Sequence, residues 1–143
     1  MNVGKTFLDT NVLVYAYDLS AGVKHGRAAE VVAETWKART GLISTQVLQE
    51  FYVTVTRKIS RPLEPAVARQ IVADLSCWGV VTIEPKTILA AIDLQRDYLV
   101  SFWDAMIIAA AAAGGAESVF TEDLNHGQII CGVRIYNPFL LQG

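Results

Sequence analysis

The 143-residue chain is 52% hydrophobic and 18% charged, with a net charge of −2 and a pI near 5.6. That composition excludes a disordered chain, leaves room for one sizeable core, and is too short for two ordinary domains, so a single domain over residues 1–143 is expected. No overall positive field advertises a nucleic-acid partner, yet the charge is uneven: Lys24 to Arg61 holds seven Lys/Arg against three Glu, whereas Asp97 to Val133 holds five acids and neither Lys nor Arg.

In chain order, Met1 to Asp9 lacks a basic region followed by an uninterrupted apolar one, which predicts no secretory leader and a cytoplasmic protein. Phe7-Leu8 closes a first strand, the polar break Asp9-Thr10-Asn11 follows, and Val12 to Tyr17 begins a short helix. Asp18 is expected to cap or turn. Lys24 to Ala38 reads as an amphipathic helix with Ala28, Val31, Val32 and Thr35-Trp36 inside. Gly41 to Ser44 is a brief strand, and Thr45 can cap the helix after it. On that helix Val47, Leu48, Phe51, Tyr52 and Val55 form the apolar stripe, and Gln46, Glu50 and Thr54 run beside it as a polar one.

Ser60 to Pro65 breaks the helix and Pro65 starts the next, so the pair forms a helical hairpin with Arg57, Lys58 and Arg61 at its tip. A strand over Val80 to Ile83, helices over Thr87 to Leu99 and Ser101 to Ala113, and strands over Ser118 to Thr121 and Val133 to Tyr136 complete the chain. Alternating strands and helices with short joints predict a three-layer α/β/α fold around a parallel sheet of four or five strands. The longest uncharged apolar run, Ala105 to Ala116, is twelve residues, a buried helix and not a bilayer span. Cys77 and Cys131 stand alone and read as free structural thiols. Buried packing is the default expectation for Trp36, Trp78 and Trp103.

Four acids, Asp9, Glu50, Asp104 and Asp123, sit at or just after the ends of apolar segments. Each has a local explanation: a turn at Asp9, an exposed helix face at Glu50, a turn or cap at Glu122-Asp123, and a capping box from Ser101 to Asp104, where an acid in the first turn also suits the helix dipole. Jointly they point elsewhere, because in a parallel sheet such positions converge at the carboxyl edge. Asp74, Glu84, Asp93 and Asp97 lack that placement and read as solvated surface.

Phe-Leu-Asp9-Thr-Asn-Val-Leu-Val-Tyr-Ala, Ser44-Thr-Gln-Val-Leu-Gln-Glu50-Phe, Phe-Trp-Asp104-Ala-Met-Ile-Ile-Ala-Ala-Ala and Phe-Thr121-Glu-Asp123-Leu together resemble the PIN-domain pattern over nearly the whole chain, and most of all the VapC-like toxins of toxin–antitoxin pairs. The resemblance implies a PIN-like sandwich and a Mg²⁺- or Mn²⁺-dependent endoribonuclease. It assigns Asp9, Glu50, Asp104 and Asp123 to an acidic catalytic and metal site, prefers Asp123 to Glu122, and matches Thr10, Asn11, Ser44 and Thr121 to polar positions that orient carboxylates or waters. It further implies an RNA substrate, a homodimer and a cognate antitoxin protein. Hard oxygen ligands suit those metals, whereas His25 and His126 lack the spacing of a zinc site. The basic hairpin tip can hold flanking phosphates. The competing expectation is a PIN-like module that binds RNA or protein without cutting. A dinucleotide-binding module would need G-x-G-x-x-G, and Gly114-Gly115 only ends a helix.

Overall fold

Strand β1 (Lys5–Leu8) lies at the centre of the sheet, and its last two side chains, Phe7 and Leu8, are both fully buried, so each face of the sheet is covered. The computed structural model describes residues 4–140; Met1 to Val3, where the reading of the N-terminus for a leader begins, lie outside the described residues. The remaining strands are β2 (Gly41–Ser44), β3 (Gly79–Val81), β4 (Ala116–Phe120), β5 (Ile129–Ile130) and β6 (Val133–Tyr136), in the order β3-β2-β1-β4-β6-β5. Every pairing is parallel except β5 with β6.

The helices are α1 (Thr10–Tyr17), α2 (Val23–Ala38), α3 (Thr45–Arg57), α4 (Pro65–Leu75), α5 (Pro85–Tyr98) and α6 (Phe102–Ala113). This is the expected mixed α/β sandwich. The strand β5 is an addition that the sequence did not signal: Cys131 and Gly132, at φ 52° and 77°, form a tight two-residue turn from Ile130 to Val133, and Cys-Gly is a weak signature for such a hairpin.

Helix α6 is apolar on all sides, and every residue from Ala105 to Ala111 is buried. Its alanines let it lie close to the sheet. At its end Gly114 permits the contact, since an added Cβ would stand 2.6 Å from Leu42 Cδ2 and 2.7 Å from Val81 Cγ2. The amphipathic α3 buries Val47, Phe51 and Val55 and leaves Glu50 outside.

Two local expectations shift. Ser44, not Thr45, caps α3 by accepting the Val47 N–H at 3.3 Å, while Thr45 Oγ1 accepts the Ile83 N–H at 3.2 Å and ties down the chain after β3. Both cysteines are exposed and free, because each lies in a turn at the surface despite apolar neighbours in sequence. Asp18 caps a short 3₁₀ turn over Leu19–Ala21, as expected. Among the described residues no helix is long and apolar enough to cross a membrane.

Candidate active site

The strand order reverses direction at β1 and β4, and the chain leaving each of these neighbours opens a crevice at their carboxyl ends. Asp9 follows β1 directly and is the N-cap of α1; one carboxylate oxygen accepts the Thr10 N–H at 2.6 Å. The other accepts the hydroxyl of Thr121, which follows β4, at 2.8 Å. Thr121 Oγ1 in turn accepts the Asp123 N–H at 3.1 Å, and Asn11 Nδ2 donates to Asp123 Oδ2 at 2.9 Å. A single hydrogen-bonded chain therefore links the two strand ends and aims both carboxylates.

Asp104 arrives from a different element. Ser101 caps α6 by accepting the Asp104 N–H at 3.1 Å, so the expected cap exists, while the Asp104 carboxylate joins Asp9 and Asp123. One oxygen from each of the three lies within 4.8 Å of the others. Asp9 is buried, Asp104 half-buried and Asp123 exposed, which grades the cluster from floor to rim.

A cleft of about 360 Å³ contains all three acids, and its far wall is the polar stripe of α3, Gln46, Glu50 and Thr54. Glu50 is thus brought to the same cleft, held by Gln46 Nε2 at 2.7 Å, yet it stands outside the tight group of three. Glu122 is turned away: Tyr15 donates its hydroxyl to one oxygen and Lys24 binds the other at 2.7 Å. These partners hold Glu122 apart from the cluster that Asp123, the acid preferred by the resemblance, joins.

Burial pushes the Asp9 carboxyl up to about 7, against the pull of the Thr121 and Thr10 hydrogen bonds, and the negative charges of Asp123 and Asp104 add to the rise. Asp123 is also raised, first by burial and then by Asp104, with the Asn11 amide opposing. Three carboxylates at this spacing repel one another, and a bound cation would reverse both shifts. The donor set is all oxygen. In addition, Thr10 Oγ1, Asn11 Oδ1 and Gln46 Oε1 are buried without hydrogen-bond partners, and their residues line the cleft. Such a set fits a hydrated hard cation. The histidines are engaged elsewhere, His25 with the Tyr15 carbonyl and His126 with the Asn137 N–H.

Of the polar neighbours singled out in the sequence, Thr121 and Asn11 orient carboxylates, whereas Ser44 serves α3 as its cap. Trp36 and Trp103 both depart from the buried default: Trp36 packs edge-to-face on Trp78 at the surface, and Trp103 is 63% exposed and lines the cleft beside Asp104. No periodicity signalled the exposure of Trp103, because α6 is apolar all round and offers no polar face against which to orient a tryptophan.

The PIN domain family matches residues 6–129. Among solved structures, a toxin–antitoxin complex from Klebsiella pneumoniae is similar over 96% of this chain and 100% of that one, at 22% identity and a TM-score of 0.67. The DNA-bound VapBC complex from Salmonella typhimurium is similar over 95% and 99%, at 21% identity and 0.65. The sarcin-ricin-loop-cleaving toxin VapC20 of Mycobacterium tuberculosis is similar over 80% and 87%, at 17% identity and 0.60. These likenesses are of fold. No curated protein matches the chain.

Proposed function

Because the chain belongs to the PIN domain family, we propose that it is a divalent-metal-dependent endoribonuclease, the toxin of a toxin–antitoxin pair, working through Asp9, Glu50, Asp104 and Asp123. The observation that carries this reading is the meeting of Asp9, Asp104 and Asp123 within 4.8 Å at the carboxyl ends of β1 and β4, from segments scattered along the chain. Independent caps and turns have no reason to meet there.

In this reading Asp9, Asp104 and Asp123 hold Mg²⁺ or Mn²⁺. The bound ion supplies positive charge that offsets the phosphodiester and activates water for hydrolysis. Thr121 and the Thr10 N–H fix Asp9 at the floor, and Asn11 fixes Asp123 at the rim. Glu50, with one oxygen committed to Gln46, keeps the other for a water or a proton on the opposite wall. The reaction adds water across one P–O ester bond: the water oxygen joins phosphorus, and its proton leaves with the departing oxygen.

The substrate's flanking phosphates have a route out of the acidic cleft. Glu50 and Thr54 belong both to the cleft and to a smaller groove that continues to Lys58, at the start of the basic hairpin tip. A cognate antitoxin, supported by the toxin–antitoxin complexes among the similar folds, and a homodimer complete the proposal.

The test uses a structured RNA, a choice prompted by the sarcin-ricin loop named for the Mycobacterium protein. The wild-type protein should cut it only with Mg²⁺ or Mn²⁺. Asp9→Asn and Asp104→Asn should each lower the rate at least about 100-fold while retaining wild-type circular dichroism. Cleavage that survives both substitutions would overturn the assignment, and metal-independent binding without cleavage would favour a non-catalytic PIN-like module.

A further inference from the structure

Trp103 is the most exposed tryptophan of the three, at 63% against 39% for Trp36 and 9% for Trp78. It sits in the first turn of α6, one residue before Asp104, and shares the cleft with the acids. Its ring is braced edge-to-face against Phe102, with centroids 5.1 Å apart and planes at 74°. Burying a large apolar side chain stabilises a fold, so folding alone gives no reason to hold this ring in water. Beyond the ion held by Asp9, Asp104 and Asp123, the acidic wall around the ring offers a polyanion no Coulombic attraction. Contacts to the bases add affinity at this point, and an exposed aromatic face is the group that supplies them without regard to base identity.

We propose that Trp103 is a stacking platform for an unpaired base next to the scissile phosphate. This inference rests on the endoribonuclease reading and deepens it. Trp103 touches substrate in this account but neither metal nor the reacting atoms, so it governs affinity and choice of site, not the chemical step.

The experiment compares wild type, Trp103→Ala and Trp103→Tyr on one hairpin RNA, intact or with an abasic nucleotide beside the cut. Binding is measured separately with each ring variant placed in an Asp104→Asn background. Trp103→Ala should lower kcat/KM and affinity roughly 10- to 100-fold, chiefly through KM, and Trp103→Tyr should recover most of the loss. On abasic RNA, wild type should fall to the level of Trp103→Ala, which should itself be unaffected. Equal kcat/KM for wild type and Trp103→Ala on intact RNA, or a defect that persists on abasic RNA, would overturn stacking and leave the nuclease standing. A changed sedimentation coefficient in Trp103→Ala would place the ring between copies of this chain and overturn it as well. A wild-type protein that neither cuts nor binds RNA would overturn the nuclease reading itself, and stacking with it.

Discussion

Asp9 occupies a site that opposes its own ionisation. Its carboxyl is raised from 3.8 to about 7 because burial outweighs two hydrogen bonds. Between those two values the folded protein binds more protons than the unfolded chain, so in EDTA its stability falls as pH rises through the window and stays lower above it. Asp9→Asn removes the charge and keeps the shape. In urea titrations with EDTA it should therefore exceed wild type at pH 8 by on the order of 2–4 kcal/mol, with the gap closing toward pH 4. Mg²⁺ or Mn²⁺ should raise the wild-type melting temperature at pH 8 and leave that of Asp9→Asn unchanged. A wild type that gains stability relative to Asp9→Asn between pH 5 and 8 in EDTA would contradict burial as the dominant influence. The candidate acids were legible from their places at or just after apolar segments, Asp9 and Asp123 following strands and Glu50 and Asp104 lying in helices, whereas the roles of Thr121 and Asn11 depend on two chain segments about 110 residues apart meeting at hydrogen-bond distance.

At the scale of elements, helix starts and stops were largely legible because they depend on neighbours in sequence. Pro65 opens α4, and Ser101 caps α6. Helix α5 ends at Leu99, which adopts a left-handed conformation at φ 54° while 90% exposed. An L side chain there is strained, and glycine is not. Leu99→Gly should stabilise the protein by about 0.5–1 kcal/mol, read as a higher urea midpoint with an unchanged slope. A lower midpoint would show that Leu99 makes contacts that outweigh its backbone strain. Ser44 and not Thr45 caps α3 because the backbone is still extended at Ser44 and helical from Thr45, which leaves the Thr45 hydroxyl for Ile83, a partner 38 residues away.

For the whole molecule, the acidic cleft and the basic hairpin become one surface only through α3, which carries Glu50 and Thr54 in the cleft and leads to Lys58. Arg57, Lys58 and Arg61 are exposed, and no ion pair among the described residues engages them. Replacing all three by alanine should weaken RNA binding at low salt. The plot of log affinity against log salt should flatten by about 0.7 per lost phosphate contact, measured by anisotropy over a salt series. An unchanged slope would remove the hairpin from the RNA path. Circular dichroism should be unaltered, since none of the three side chains is part of the core.

Apart from β5, which pairs antiparallel with β6, the chain order of strands and helices, the parallel sheet and the set of candidate acids were legible in the sequence itself. Periodicity, capping residues and turn chemistry act over a few residues and leave a local trace. The preference for Asp123 over Glu122 that the resemblance implies has its physical cause only in the tertiary structure, where Tyr15 and Lys24 draw Glu122 aside. Tertiary structure also decided that Trp103 stands open to the cleft. The partners that hold Glu122 aside and the exposure of Trp103 both arise only when distant segments pack together, which local periodicity does not record.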